Sequence, residues 1–139
     1  MKTFKLSTHD WLVRLDAGEE IMTSLAEFAH AGGITAASFT GIGAVGELKY
    51  GYFDISKKQY AVAEEKISLE IVSLVGNIAR MDDEPIVHAH ISVGFPDMSV
   101  RGGHLVQGVI SVTAEIFVRT YKAEVKRAKD KFSGLNLIR

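Results

Sequence analysis

His88, His90 and His104 are the residues of this chain whose type and spacing promise chemistry. The first two lie in Ile86–Leu105 (IVHAHISVGFPDMSVRGGHL), where Val87, Ala89 and Ile91 alternate with His88, His90 and Ser92. Such alternation marks a β-strand and sends both imidazoles to one face. Residues i and i+2 of a strand stand about 6.5–7 Å apart, so two rings there can lean onto one small cation. Pro96-Asp97 then turns the chain, and Gly102-Gly103 removes side-chain bulk just before His104. A hairpin of compatible register brings His104 to the same place. Three neutral imidazoles are the ligand set of an open zinc site, with a fourth position left for water or substrate. Any one of these histidines alone would read as a half-buried polar residue; the cluster carries the metal reading.

An open zinc site lowers the pKa of bound water or acts as a Lewis acid. For that chemistry Glu70 and Glu115 are the candidate general bases, and Arg80 and Arg101 the candidate clamps for a carboxylate or phosphate. Glu70 reads equally well as a carboxylate paired to a basic residue elsewhere. His9 and His30 read as structural, His30 as a cation near a helix C-terminus. Gly41-Ile42-Gly43-Ala44-Val45-Gly46 has the form G-x-G-x-x-G, but the residues after it, Glu47 to Phe53, alternate like a strand. A dinucleotide fingerprint must open a helix, so a tight turn or bulge is expected here.

The elements that must position these residues are set out by periodicity. Thr3–Leu6 and Trp11–Leu15 read as short strands. Gly18-Glu19-Glu20 starts a helix, with acids in its first turn, and Ile21, Leu25 and Phe28 recur at helical spacing. Gly32-Gly33 ends it with a left-handed cap. Ile34–Ile42 is a strand, and Asp54–Gln59 a polar hairpin connection. Lys66–Ile78 is the longest apolar strand, with apolar groups on both faces, as in a central strand or one covered by a partner subunit. Met81–Pro85 is an acidic turn. Val109–Tyr121 alternates again, with Ile110, Val112, Ala114, Ile116 and Val118 on one side. Lys122–Lys131 reads as a solvated basic helix or tail. One early helix and then strand after strand predicts an α+β fold, a mainly antiparallel β-sheet with one main helix packed on it.

Composition narrows the function classes. With 139 residues and no linker or repeat, a single domain over residues 1–139 is expected. The absence of cysteine excludes disulfides, thiolate metal sites and cysteine nucleophiles. No signal peptide and no apolar run of membrane-spanning length is legible, which predicts a cytoplasmic protein with no membrane partner. A net charge of −1 supplies no global attraction to nucleic acid.

Ordered motifs along nearly the whole chain resemble the plants-and-prokaryotes-conserved (PPC) domain. They are Arg14-Leu15-Asp16-Ala17-Gly18-Glu19, the stretch Ala37–Val45, Leu69–Ile78, His88-Ala89-His90, Gly102-Gly103-His104-Leu105, Thr113–Ile116 and Arg127…Asp130…Gly134-Leu135. The resemblance implies a compact protomer assembling into a homotrimer through its sheets. It also implies a metal, zinc by preference, on His88, His90 and His104. Prokaryotic stand-alone members are described as DNA-binding by expectation, without an established activity. Plant members pair the domain with an AT-hook that holds the minor groove, and this sequence has no Arg-Gly-Arg-Pro hook and no room at its ends for one.

Three functions compete on these grounds. One is a trimeric binding or assembly module associated with DNA or a DNA-associated protein. Another is a zinc-dependent enzyme of hydrolase or lyase type. The third is a sensor that takes a small anion in the histidine pocket.

Overall fold

The computed structural model describes residues 1–139. Along the chain it has β1 (Lys2–Lys5), β2 (Asp10–Asp16), α1 (Ile21–Ala31), β3 (Ala37–Asp54), β4 (Gln59–Glu65), β5 (Leu69–Met81), β6 (Glu84–Gly94), β7 (Val100–Thr120), β8 (Arg127–Lys129) and β9 (Asn136–Ile138). This is the expected α+β architecture, antiparallel strands with one helix. The main sheet runs β1-β2-β7-β6-β5-β3-β4, with a further pairing of β7 to β3. That last ladder, from Gly51↔His104 to Ala37↔Thr120, means that β3, β5, β6 and β7 close into a ring. Val45, Leu74, Ile91, Leu105 and Ile116 fill its interior.

Helix α1 packs against β6 and β7 through Ile21, Leu25, Phe28 and Ala29. Its start differs from expectation in one detail: the first turn holds no acid, and Glu20 is instead the N-cap. The Glu20 carboxylate accepts from the Met22 amide at 3.1 Å and the Thr23 amide at 2.7 Å. It also accepts from the Gly108 amide at 3.0 Å, so the cap ties the helix to β7. Gly33, at φ +59°, supplies the left-handed stop after the helix.

The glycine-rich stretch is a bulge and opens no helix. β3 runs through it without a break, shifting register against β5 between Gly41 and Gly43. Gly43 sits at φ +151°, and a Cβ there would lie 2.2 Å from the Thr113 carbonyl oxygen, so β3 and β7 can meet only over glycine. The two apolar faces of the Lys66–Ile78 stretch have a related origin. Register shifts between Ile71 and Ser73, which turns Leu74 into the core and leaves Val72 and Val75 exposed. The turn from β5 to β6 places Asp82 and Asp83 at φ +52° and +65°, the backbone of a type I′ hairpin.

The C-terminal segment corrects the expectation of a solvated basic tail. β8 and β9 pair as a small second sheet, and the Arg80 amide donates to the Val125 carbonyl at 2.8 Å, tying the segment to β5. Arg127 is buried as a result. No helix of the structure is long and apolar enough to cross a membrane.

Candidate metal centre

β6 buries Ala89, Ile91 and Val93, which turns His88, His90 and Ser92 outward. β7 folds back beside it with His90 opposite His104 and Ile91 opposite Gly103. The three imidazoles therefore meet. Ring centroids are 5.3 Å apart for His88 and His90, 5.1 Å for His88 and His104, and 5.6 Å for His90 and His104. One ligand nitrogen from each ring lies within 4.8 Å of the others. The two glycines before His104 do something the sequence did not reveal. A Cβ on Gly102 would lie 2.3 Å from the Ile91 carbonyl oxygen, and one on Gly103 2.5 Å from the Gly51 carbonyl oxygen. They let β7 wedge between β6 and β3, and that wedge sets the position of His104.

The donor set fits a borderline transition metal. Tetrahedral zinc with bonds of about 2.0–2.1 Å brings its nitrogens to roughly 3.3 Å of one another, within reach of small ring rotations from the observed cluster. The His104 Nδ1 is buried and has no hydrogen-bond partner within the chain, so no neighbouring group claims that ring nitrogen. Burial, then the neighbouring His104, Arg127 and His90, push the His88 pKa down to about 4, and burial with His90 lowers that of His104. Both rings are thus neutral near pH 7, as metal ligation requires. No carboxylate belongs to the cluster, which disfavours magnesium or calcium.

Three further side chains frame the site. Tyr60 of β4 stacks on His104 with centroids 4.9 Å apart. Arg127 of β8 donates to the Asn77 side-chain oxygen and to the Asn136 carbonyl, both at 2.7 Å, and its Nη2 lies 3.4 Å from His88 Nδ1. Asn77 is the cross-strand partner of His88. Beside the rings, Tyr60, His88, His104 and Arg127 line a cavity of about 290 Å³ together with apolar residues that include Ile86 and Leu137.

The carboxylates and arginines named from sequence lie elsewhere. Glu70 is exposed opposite Gly94, four positions along β6 from His90, and does not belong to the imidazole cluster. Glu115 is exposed eleven positions along β7 from His104, opposite Ile42 of β3, and does not belong to the imidazole cluster. Arg80 bonds the Asp83 carbonyl, and Arg101 pairs with Glu65 at 3.8 Å while covering the Phe95 ring at 4.6 Å. In this protomer none of the four meets the imidazoles. Sequence reasoning missed Asn77, Tyr60 and Arg127 as site residues. Of these Asn77 and Arg127 stood in motifs, and the charges of Arg127's neighbours disguised it as surface.

Comparison with known proteins agrees with this architecture. The sequence profile described as the Plants and Prokaryotes Conserved (PCC) domain matches residues 4–122. A plant- and prokaryote-conserved (PPC) protein from Pyrococcus horikoshii superposes with a TM-score of 0.88 at 38% identity, over 99% of this chain and 93% of that one. A candidate DNA-binding protein from Bacteroides thetaiotaomicron has a TM-score of 0.95 at 31% identity, covering 99% and 96% of the two chains. A protein from Archaeoglobus fulgidus described as metal-containing gives 0.88 at 37% identity over 99% of each chain. No curated protein matches the sequence.

Proposed function

The chain belongs to the Plants and Prokaryotes Conserved domain family, and from that premise we propose that it is a metal-binding assembly module whose ion sits on His88, His90 and His104. The observation that carries this reading is the convergence of three ligand nitrogens within 4.8 Å, on a hairpin whose register two obligatory glycines impose. The Archaeoglobus relative, described as metal-containing, supports it. Zinc is the ion the donor set suits best: neutral imidazoles, no oxygen ligands, and three protein positions of a tetrahedron. Once bound, it supplies a Lewis acid with an open position. The chain's own groups then do separate work. Arg127 holds Asn77 and the tail against His88, and Tyr60 covers His104 from the edge of the sheet. No carboxylate is among the cavity-lining residues, so the carboxylate base that hydrolysis was expected to use is not found there, which supports the binding reading.

Assembly belongs to the same proposal. Val75, Thr40 and Phe117 lie in one cross-strand row on the outer surface of the ring, with Ile42 beside them, and Val75, Phe117 and Ile42 are all exposed. Exposed apolar side chains grouped in this way, with only Thr40 between them, suit burial against further copies, here as a homotrimer, with residues 1–139 acting as one unit.

Association with DNA is a second reading, favoured by the relatives from Bacteroides thetaiotaomicron and Ralstonia eutropha, each described as a candidate DNA-binding protein. A net charge of −1 means its phosphate contacts would come from a local patch.

Elemental analysis of protein purified in zinc-containing buffer tests the principal reading. About one zinc per chain is expected for the wild type and little for His88→Ala; equal content in both would overturn it. An anisotropy titration with duplex DNA, repeated at rising salt, tests the second, since real phosphate contacts weaken steeply with salt.

A further inference from the structure

The structure assigns the cavity beside the imidazoles to a small carboxylate ligand with a short apolar body, anchored by Arg127. Charge balance leads to it. Arg127 is only 9% exposed, yet no acidic side chain lies within ion-pairing distance of it. Its hydrogen-bond partners are all neutral: the Asn136 carbonyl, the Asn77 amide oxygen and the His88 ring. Its Nε is buried with no partner at all. Buried charges in folded proteins are paired, because an uncompensated one is costly. Here the compensation does not come from the chain: no aspartate or glutamate lines the cavity, although Arg127 does. A divalent ion on the histidines would add two more positive charges to the same space. The missing partner is therefore an anion brought from outside.

Size and lining fix its class. The cavity holds about 290 Å³, at the lower end of ligand pockets. A planar guanidinium matches a carboxylate in bidentate fashion, whereas a phosphate would need donors on several sides, and Arg127 is the only cation in the lining. Ile86, Val87, Leu135 and Leu137 belong to the same lining and give it an apolar part that an inorganic oxyanion leaves unused. A monocarboxylate of a few carbons satisfies both sides, and Tyr60 brings a phenol to the same space.

This inference rests on the metal reading for the ligand's second contact, while the anchor at Arg127 stands on the chain alone. The test is calorimetric titration of acetate, butyrate and inorganic phosphate into metal-free protein and into protein loaded with cobalt(II), whose visible spectrum reports a ligand entering the coordination sphere. Butyrate is expected to bind the wild type at least fivefold more tightly than acetate and to outcompete phosphate. Arg127→Gln should weaken butyrate at least tenfold in both forms. Leu137→Trp, which narrows the cavity and leaves Arg127 and the histidines untouched, should do the same and decides the matter if Arg127→Gln does not fold. Absence of butyrate binding to the wild type, equal binding to the variants, or a preference for phosphate would overturn the assignment. Cobalt uptake without Arg127-dependent butyrate binding would leave the metal reading intact and remove this one. Failure of cobalt uptake would remove the metal reading, and the metal-free titration would still decide the anchor.

Discussion

His104 stands directly across the β6–β7 ladder from His90, and the two rings meet edge to face with centroids 5.6 Å apart. His88, two residues from His90, completes a triangle whose corners come from one hairpin. The site's geometry is therefore set by a strand register, and the substitutions that test it are those that disturb the register or remove a corner.

Removing a corner should be costly for metal and cheap for the fold. The imidazole of His90 is exposed and makes no hydrogen bond that holds strands together, so His90→Ala is expected to keep wild-type thermal stability without metal. Its zinc affinity should fall by at least about 100-fold, more than the loss of an outer-shell partner costs. Competition with a chromophoric chelator measures this. Unchanged affinity would show that His90 is no ligand.

The pH dependence of the metal-free protein originates in His88. Its folded pKa of about 4 lies below the ordinary 6.5 because burial penalises the charged ring. Between those values the unfolded chain binds a proton that the folded chain does not, so stability rises with pH across that window. The contribution is complete above about pH 6.5 and gone below about pH 4. A histidine-resolved NMR titration should find His88 still neutral at pH 5; an inflection near 6.5 would contradict it.

Gly103→Ala places a Cβ 2.5 Å from the Gly51 carbonyl oxygen, which is backbone and cannot swing aside. Overpacking of this sort costs about 1–3 kcal/mol. Urea denaturation should show that loss, and zinc affinity should fall with it because the wedge that positions His104 is displaced. Stability unchanged from wild type would mean the strands part without cost.

The apolar strip on the outer surface yields a separate expectation. Phe117→Glu adds a charge to an exposed position of β7 beyond the metal site, so a folded chain with an intact site should result. Light scattering coupled to size exclusion should report smaller species for the variant than for the wild type, whose proposed state is a trimer. A trimer unaffected by Phe117→Glu and by Val75→Glu would place assembly on another surface.

The strand periodicity around His88 and His90 was enough to read both the element and the face, because alternation is a local property. Convergence with His104 was legible only as a condition on register, and the wedge at Gly102-Gly103 that meets it depends on Gly51, about fifty residues away. Arg127 was invisible for a related reason. Its burial comes from Asn77 and Asn136, while the neighbouring lysines and the acids among them make the segment look solvated. Glu70 and Glu115 were named as carboxylates that could serve a metal site, yet neither belongs to the imidazole cluster. Val72 and Leu74, which simple alternation would put on one face, are separated by a bulge that no single-residue signal announces.

The closed ring of β3, β5, β6 and β7 also has a kinetic consequence. Its sealing ladder joins segments that lie far apart in sequence, Ala37 with Thr120 at one end, so closure must wait for the whole of β7. Topologies dominated by such distant partners fold slowly, on millisecond-to-second scales, because the entropy of looping is lost before the contacts form. While the ribosome is still extending the chain, β3 and β5 can pair but the ring stays open, with two strand edges bare until residue 120 has emerged.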